Sequence, residues 1–337
     1  MSQLRTLVVG LGQIGCGYDA HLPFQWDQPM SSPSILSHAR ALACHPGFEL
    51  LCGVDPDCSS RQRFSRLYDL PAYETLSTWR ASWNAPDPDV VVVAVSPLDQ
   101  PGLVEVILNL ISPRLLLLEK PAAANLTQAR ALQQTCSRHE PGLCVAVNYI
   151  RRYLPAVGQW QKRLQSGELG KLLHGQITYG KGLMCNGSHF VNLAEFWLGS
   201  LRWGRELTHG KDCFGFDRES SAELHAVRHG NASVVIRSVG AAGLRAGEVD
   251  LWFEQGRLCW RNDGRSIAFW HRCPPAAGDS HSPLSAEPSL TDTEISRYQF
   301  HVLENLYHHY HGSPRLPLQC TLSDAVNTLS VLEPAIA

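Results

Sequence analysis

The feature that most constrains this chain lies at its start. An apolar run over residues 4–10 closes on Gly10-Leu11-Gly12-Gln13-Ile14-Gly15. A G-x-G-x-x-G after a strand signal suits a phosphate-binding turn. The first glycine makes the tight bend, the second lets backbone approach a pyrophosphate, and the third permits close packing. Free N–H groups of the turn then receive the phosphate oxygens. The first half of the chain continues in the same sense. Helical stretches are expected at 37–44, 103–110 and 126–136, and strands at 48–55, 89–95, 115–118 and 143–147. The valine run at 89–95 and the leucine run at 115–118 are continuous rather than alternating, as in parallel strands covered on both faces. Strands alternating with helices imply right-handed βαβ units. The expected fold over residues 1–148 is therefore an α/β Rossmann domain with a parallel sheet.

Residues 149–337 read differently. Helices are expected at 157–165, 190–198, 295–311 and 322–332. Between them lie strand signals at 174–179, 222–225, 232–237, 249–253, 257–261 and 266–270. Consecutive strands with short glycine-containing turns imply antiparallel pairing. The second domain is expected to be α+β, with a large, mostly antiparallel open sheet, and to bind substrate and form oligomers. Residues 274–288, rich in Pro, Ser and Ala, read as a surface loop.

Composition narrows the function. The formal net charge of −2 argues against nucleic-acid and anionic-membrane partners. No apolar stretch approaches the ~20 residues a bilayer span needs. The eleven Cys are scattered singles, and no signal peptide is recognised. They read as reduced thiols of a cytoplasmic protein. Cys16, at a presumed helix start, reads as a packing residue. His308 and His311 share a helix face, but no metal is assigned to them. They read as a helix terminus whose dipole favours histidine.

Asp55, at the end of the 48–55 strand, is the candidate for the adenosine ribose. It lies further from the glycine turn than the usual ~20 residues. The excess falls in residues 16–37, read as a loop inserted before the main helix, with Trp26 as its notable aromatic. A carboxylate at Asp55 favours NAD over NADP. Arg61 and Arg63 keep NADP open, since they would serve a 2′-phosphate or simply be solvated.

Glu119-Lys120-Pro121 after a buried strand completes a set that resembles the Gfo/Idh/MocA oxidoreductases, relatives of glucose–fructose oxidoreductase and inositol dehydrogenase. The set comprises the Gly10–Gly15 turn, Asp55, Ser96-Pro97 after the valine strand, Glu119-Lys120-Pro121, and Asn148 followed by Arg151-Arg152. It continues with Gly187-Ser188-His189 before a helix closing on Trp197-Leu198-Gly199, and with Cys320 followed by Ala325. The resemblance implies cofactor contacts from Gly10, Gly12, Gln13, Ile14, Gly15, Asp55, Ser96, Pro97, Glu119 and Lys120. It implies substrate contacts from Lys120, Asn148, Arg152, Asn186 and His189. Lys120 and His189 would be catalytic: an imidazole takes the hydroxyl proton, and an ammonium stabilises the oxyanion.

The implied activity is NAD(P)-dependent hydride transfer to or from a secondary alcohol or ketone of a sugar, cyclic polyol or nucleotide-linked sugar. The expected assembly is a homo-dimer or tetramer, because an open sheet needs cover. The chain departs from the family where acids commonly flank the histidine. Cys185 and Asn192 stand there. They leave open an alternative, a non-catalytic cofactor-binding regulatory or scaffold protein of the same fold.

Overall fold

A computed structural model describes residues 2–139, 142–213, 216–240, 246–312 and 314–335. The chain divides into two compact units, Met1–Tyr153 with Ser296–Val326, and Leu154–Ile295 with Asn327–Ala337.

The first unit opens with β1 (Leu4–Val9), α1 (His38–Cys44), β2 (Phe48–Val54), α2 (Cys58–Tyr68), β3 (Ala72–Tyr73) and α3 (Leu76–Ser82). It continues with β4 (Val90–Val93), α4 (Gln100–Leu110), β5 (Leu115–Leu118), α5 (Leu126–His139) and β6 (Cys144–Val147). The six strands pair in parallel in the order β3-β2-β1-β4-β5-β6. Strand order therefore reverses between β1 and β4, and the carboxyl ends there form the crevice where such sheets take a dinucleotide. The valines of β4 and the leucines of β5 are wholly buried. That burial explains their unbroken apolar runs.

Residues 16–37 hold only the end of a π-helical turn (Gln13–Gly17) and a 3₁₀ turn (Pro29–Ser31) before α1, so the expected insertion is present. It is held from within. Asp19 and Arg40 are fully buried and lie 3.4 Å apart. Asp19 accepts from the Leu36 N–H (2.7 Å), the Ser37 N–H (3.0 Å) and the Ser37 hydroxyl (2.6 Å). The Arg40 guanidinium donates to the carbonyls of Asp19 (2.9 Å), Leu22 (2.7 Å) and Pro23 (3.1 Å). A buried ion pair persists only when further hydrogen bonds satisfy both partners, and here the loop backbone supplies them. Outside this strap, Phe24 and Trp26 pack edge-on (5.0 Å), and Phe24 meets Tyr68 of α2 (5.3 Å).

The second unit comprises α6 (Pro155–Gln165), β7 (Leu172–Tyr179), α7 (Ser188–Leu198), β8 (Leu201–Thr208), β9 (Asp212–Cys213), β10 (Asp217–Arg218) and β11 (Ser221–Ala226). β12 (Ala232–Ser238), β13 (Gly247–Phe253), β14 (Gly256–Arg261), β15 (Ser266–His271) and β16 (Ser289–Asp292) follow. Eight strands form one sheet, β16-β15-β14-β13-β7-β12-β11-β8, antiparallel except for the β7–β12 pair. One face is apolar, through Ile177, Val234, Ile236, Val249, Leu251 and Leu258, all fully buried. α6 reaches the sheet through Trp160 against Phe269 (5.2 Å), and α7 packs on β7 and β13. On the opposite, half-exposed face, Arg257 lies over Trp252 (5.0 Å) and Trp270 (5.2 Å) and pairs with Asp250 (2.6 Å). Residues 274–288 are mostly exposed, as expected of a surface loop.

Two helices close the chain, α8 (Tyr298–His311) and α9 (Leu322–Leu332). The division between residues 148 and 149 read from the sequence differs from the structure here, because Ser296–Val326 groups with the first unit. Backbone pairing accounts for the return. The Val147 N–H donates to the Cys320 carbonyl (3.0 Å), and Thr321 bridges Ala146 at the end of the parallel sheet. The buried Tyr153 hydroxyl lies within hydrogen-bond distance of both the Val147 (3.1 Å) and Cys320 (3.2 Å) carbonyls. Among the described residues, no helix is long and apolar enough to cross a membrane.

Candidate active site

The glycine turn follows β1 directly. Gly10 has φ +95°, and a Cβ there would overlap the Ala94 carbonyl oxygen at the end of β4. Only glycine fits such a bend. Gly15 packs against the Gly10 carbonyl in the same way, whereas nothing lies within 4 Å of the position a Gly12 Cβ would take. The open side of Gly12 is the space a pyrophosphate needs, so the turn fits a dinucleotide. Gln13 and Ile14 begin the π-helical turn that follows. Cys16 in that turn is fully buried, and burial pushes its thiol up to about 11 despite the nearby Arg63 guanidinium. It is a packing residue.

At the end of β2, Asp55 faces the turn. One carboxylate oxygen accepts from the Leu11 N–H (2.6 Å) and the other from the Asp57 N–H (2.8 Å). The residue is half-buried, which leaves its outer lone pairs for a hydroxyl. Arg61 folds back onto the Asp55 and Pro56 carbonyls (both 2.8 Å). Arg63 donates to the Leu11 carbonyl and to the Ser60 hydroxyl (3.2 Å). Both arginines brace the backbone around the acid.

Ser96 and Pro97 lie in the loop between β4 and α4, where the Ser96 carbonyl accepts the Gln100 N–H at the start of the helix. Beside it, Glu119 and Lys120 leave β5 through a buried polar cluster. The buried Gln100 side chain accepts the Glu119 N–H (2.9 Å) and donates to the carbonyls of Glu119 and Ala122 (both 2.9 Å). The Glu119 carboxylate meets His38 Nε2 at the start of α1 (2.8 Å) and accepts from Asn148 Nδ2 after β6 (2.6 Å). Lys120 is half-buried and donates its backbone N–H to the Glu119 carboxylate (3.3 Å). His38 and Gln100 escape sequence reading, since neither sits in a motif and their partners are 81 and 19 residues away. Arg152 is buried and pairs with Asp324 (3.0 Å). Burial alone would raise that carboxyl; Arg152 and Thr321 outweigh it and hold Asp324 below its ordinary value.

In the second unit, a π-helical turn (Leu183–Gly187) runs straight into α7, which carries His189 as its second residue. Asn186 donates to the Gly180 carbonyl (2.7 Å), and Ser188 donates to the Met184 carbonyl (2.5 Å). His189, Asn186 and Cys185 are half-buried. Asn192 is buried further along α7, where its amide donates to Thr328 (2.9 Å), which in turn donates to Glu195 (2.5 Å). That position therefore joins α7 to α9. Among the described residues no group of three or more His, Cys, Asp or Glu is placed to hold a metal ion. His308 instead pairs with Glu304 (3.3 Å) on its own helix, and Glu304 also meets His45 (3.0 Å).

A parallel sheet with this strand order, a glycine turn at its reversal point and an acid at the end of its second strand defines the dinucleotide-binding Rossmann class. Residues 4–149 match the oxidoreductase family with NAD-binding Rossmann fold, the Gfo/Idh/MocA family that the motif set resembles. No curated protein matches the chain in sequence. Solved structures match its full architecture. The WlbA dehydrogenase of Bordetella pertussis, in complex with NADH and UDP-GlcNAcA, is similar at 16% identity and TM-score 0.73, over 99% of this chain and 95% of that one. A 3-ketoreductase of Actinomadura kijaniata, in complex with TDP-benzene and NADP, is similar at 15% identity and TM-score 0.70, over 98% and 96%. An oxidoreductase of Agrobacterium radiobacter, in complex with NAD+, L-tartaric acid and magnesium, is similar at 16% identity and TM-score 0.65, over 98% and 95%. At these identities the likeness establishes the fold.

Proposed function

We propose that the protein is a dehydrogenase or reductase that transfers hydride between a bound nicotinamide dinucleotide and a secondary alcohol or ketone of a sugar, cyclic polyol or nucleotide-linked sugar. The observation that carries this reading is the Glu119 cluster. A lysine is presented at the carboxyl end of β5 from a turn fixed by Gln100, His38 and Asn148. An ammonium presented at that strand end would stabilise a forming alkoxide.

The dinucleotide, when bound, accepts or donates the hydride. The glycine turn and Asp55 would hold its pyrophosphate and ribose, with Ser96 and Pro97 beside them. NAD is the favoured form, because Asp55 would repel a 2′-phosphate while Arg61 and Arg63 are already committed to neutral carbonyls. His189 is assigned the substrate proton and Asn186 a hydroxyl contact. Asn148 serves by orienting Glu119. Arg152, assigned a substrate contact, is positioned by its pair with Asp324. The half-exposed tryptophan–arginine face of the second sheet supports a homo-oligomer, which light scattering tests.

The reading is tested with NADH and NADPH titrations by intrinsic tryptophan fluorescence. Turnover is then assayed with free sugars, myo-inositol and nucleotide sugars including UDP-GlcNAcA. Tighter NADH binding with turnover of one panel member is expected. Saturable NADH binding with no turnover across the panel would favour the non-catalytic alternative that Cys185 and Asn192 keep open.

A further inference from the structure

The π-helical turn Leu183–Gly187 lacks a side-chain cap of its own: its first flanking residue is Gly182, which has φ +83°. A helix start leaves backbone N–H groups without partners, and a cap normally serves the second and third residues of the turn. Here those residues are Met184 and Cys185, and a carboxylate from another strand serves both. Asp217 of β10 is 5% exposed and accepts from the Met184 N–H (2.8 Å) on one oxygen and from the Cys185 N–H (2.8 Å) on the other. Its own neighbour Arg218 adds a third N–H (2.7 Å).

Two residues on, Glu219 accepts from Lys181 (2.8 Å) and Gly182 (3.4 Å), and its other oxygen accepts from the Ser238 hydroxyl (3.0 Å). The Tyr179 hydroxyl donates to the Ser220 carbonyl (2.6 Å) at the same place. Gly182 is held against the clamp, because a Cβ there would overlap the Asp217 carboxylate. The turn that launches His189 is thus fastened to residues 217–220, more than thirty residues away in sequence.

We infer that Asp217 is a positioning residue, a cap supplied from β10 that sets the first turn before α7 and so the orientation of His189. The inference rests on the assignment of His189 as the proton-transfer group. Charge-assisted bonds to two adjacent N–H groups are stronger and shorter than neutral ones, which suits a cap that must hold a catalytic side chain still. An asparagine at 217 keeps the shape but offers one acceptor oxygen, so either Met184 or Cys185 loses its partner.

The test is Asp217→Asn, alone and combined with His189→Ala. Turnover is measured with whichever panel compound the wild-type protein converts, and amide hydrogen exchange is followed in parallel. Asp217→Asn is expected to lower kcat by about tenfold to a hundredfold, the loss one charge-assisted bond is worth. NADH affinity should stay unchanged. In the His189→Ala background the further loss should vanish, because Asp217 acts through that side chain. Faster exchange should be confined to residues 183–190. An undiminished penalty in the double variant, or exchange that rises throughout the unit or not at all, overturns the proposal. Wild-type turnover of His189→Ala is a separate result, and it overturns the assignment of His189 itself. Should Asp217→Asn fail to fold, Asp217→Glu, which keeps the charge, replaces it in the same cycle with the same expected sub-additivity.

Discussion

The turn after β1 and the turn before α7 face the same physical task. Each must hold the backbone of a short π-helical turn, next to a group that the proposed function assigns to a ligand. The first solves it with glycines closely spaced in sequence and one carboxylate, Asp55, just past the end of the neighbouring strand β2. The second solves it with carboxylates from an irregular two-stranded excursion, Asp217 and Glu219. The difference teaches where a motif comes from. A site whose constraint is steric and local writes itself into adjacent letters. A site whose constraint is a hydrogen bond from a distant segment leaves its letters ordinary.

Replacing the side chains assigned to the reaction should have the largest effect, and it tests whether the two regions serve one chemistry. His189→Ala and Lys120→Ala are each expected to lower kcat by ~10²–10⁴, the range for a general acid–base or oxyanion-stabilising group. NADH affinity should survive in His189→Ala, since that residue lies in the other unit. Steady-state kinetics with fluorescence titration separates the outcomes. Near-wild-type turnover of His189→Ala would remove the second region from the chemistry.

Next in size is the strap of the inserted loop. Asp19→Ala leaves the fully buried Arg40 without its counter-charge, which typically costs about 3–5 kcal/mol. Urea denaturation followed by fluorescence should report that loss. A cost under about 1 kcal/mol would mean that water reaches Arg40 and that the loop is looser than its hydrogen bonds imply.

Asp55→Ala is a smaller change on the cofactor itself. It should weaken NADH binding about tenfold, as expected for a lost hydrogen bond to a charged group, and strengthen NADPH binding by removing the repulsion of the 2′-phosphate. Parallel titrations check it. Equal losses for both cofactors would make Asp55 a brace for the Leu11 N–H rather than a reader of the ribose.

Much of this was legible because burial writes hydrophobic patterns. β4 and β5 were evident as Val and Leu runs since both their faces are covered. α2 was not evident. It turns only Ser60, Phe64 and Tyr68 inward, and its start depends on the Asp57 cap. β8 and β16, at the two edges of the second sheet, carry mostly exposed residues and left no alternation to find. At the site, Lys120 and His189 stood out through neighbouring residues. His38, Gln100 and Asp217 did not, because each acts on backbone or carboxylate groups far away in sequence, and a single His, Gln or Asp carries no periodicity.

The smallest expected effect is one of pH, and it probes the second unit apart from any catalysis. His229 follows β11, and its Nδ1 accepts the Leu172 N–H at the start of β7 (3.1 Å). That bond exists only while Nδ1 is unprotonated. Burial, and then the neighbouring Arg228 guanidinium, hold the ring below its ordinary value of 6.5. The unfolded chain therefore takes up a proton near pH 6.5 that the folded chain refuses until lower pH. By linkage, the contribution is fully present above 6.5 and drains away as pH falls from there through the folded value. The ring is partly exposed and solvent screens it, so the contribution should stay below about 1 kcal/mol. His229→Asn keeps an acceptor for the Leu172 N–H without a titrating ring. Comparing urea stability at about pH 8 and about pH 5.5 should show the wild-type protein losing more than the variant. Equal losses would assign the acid sensitivity to other groups.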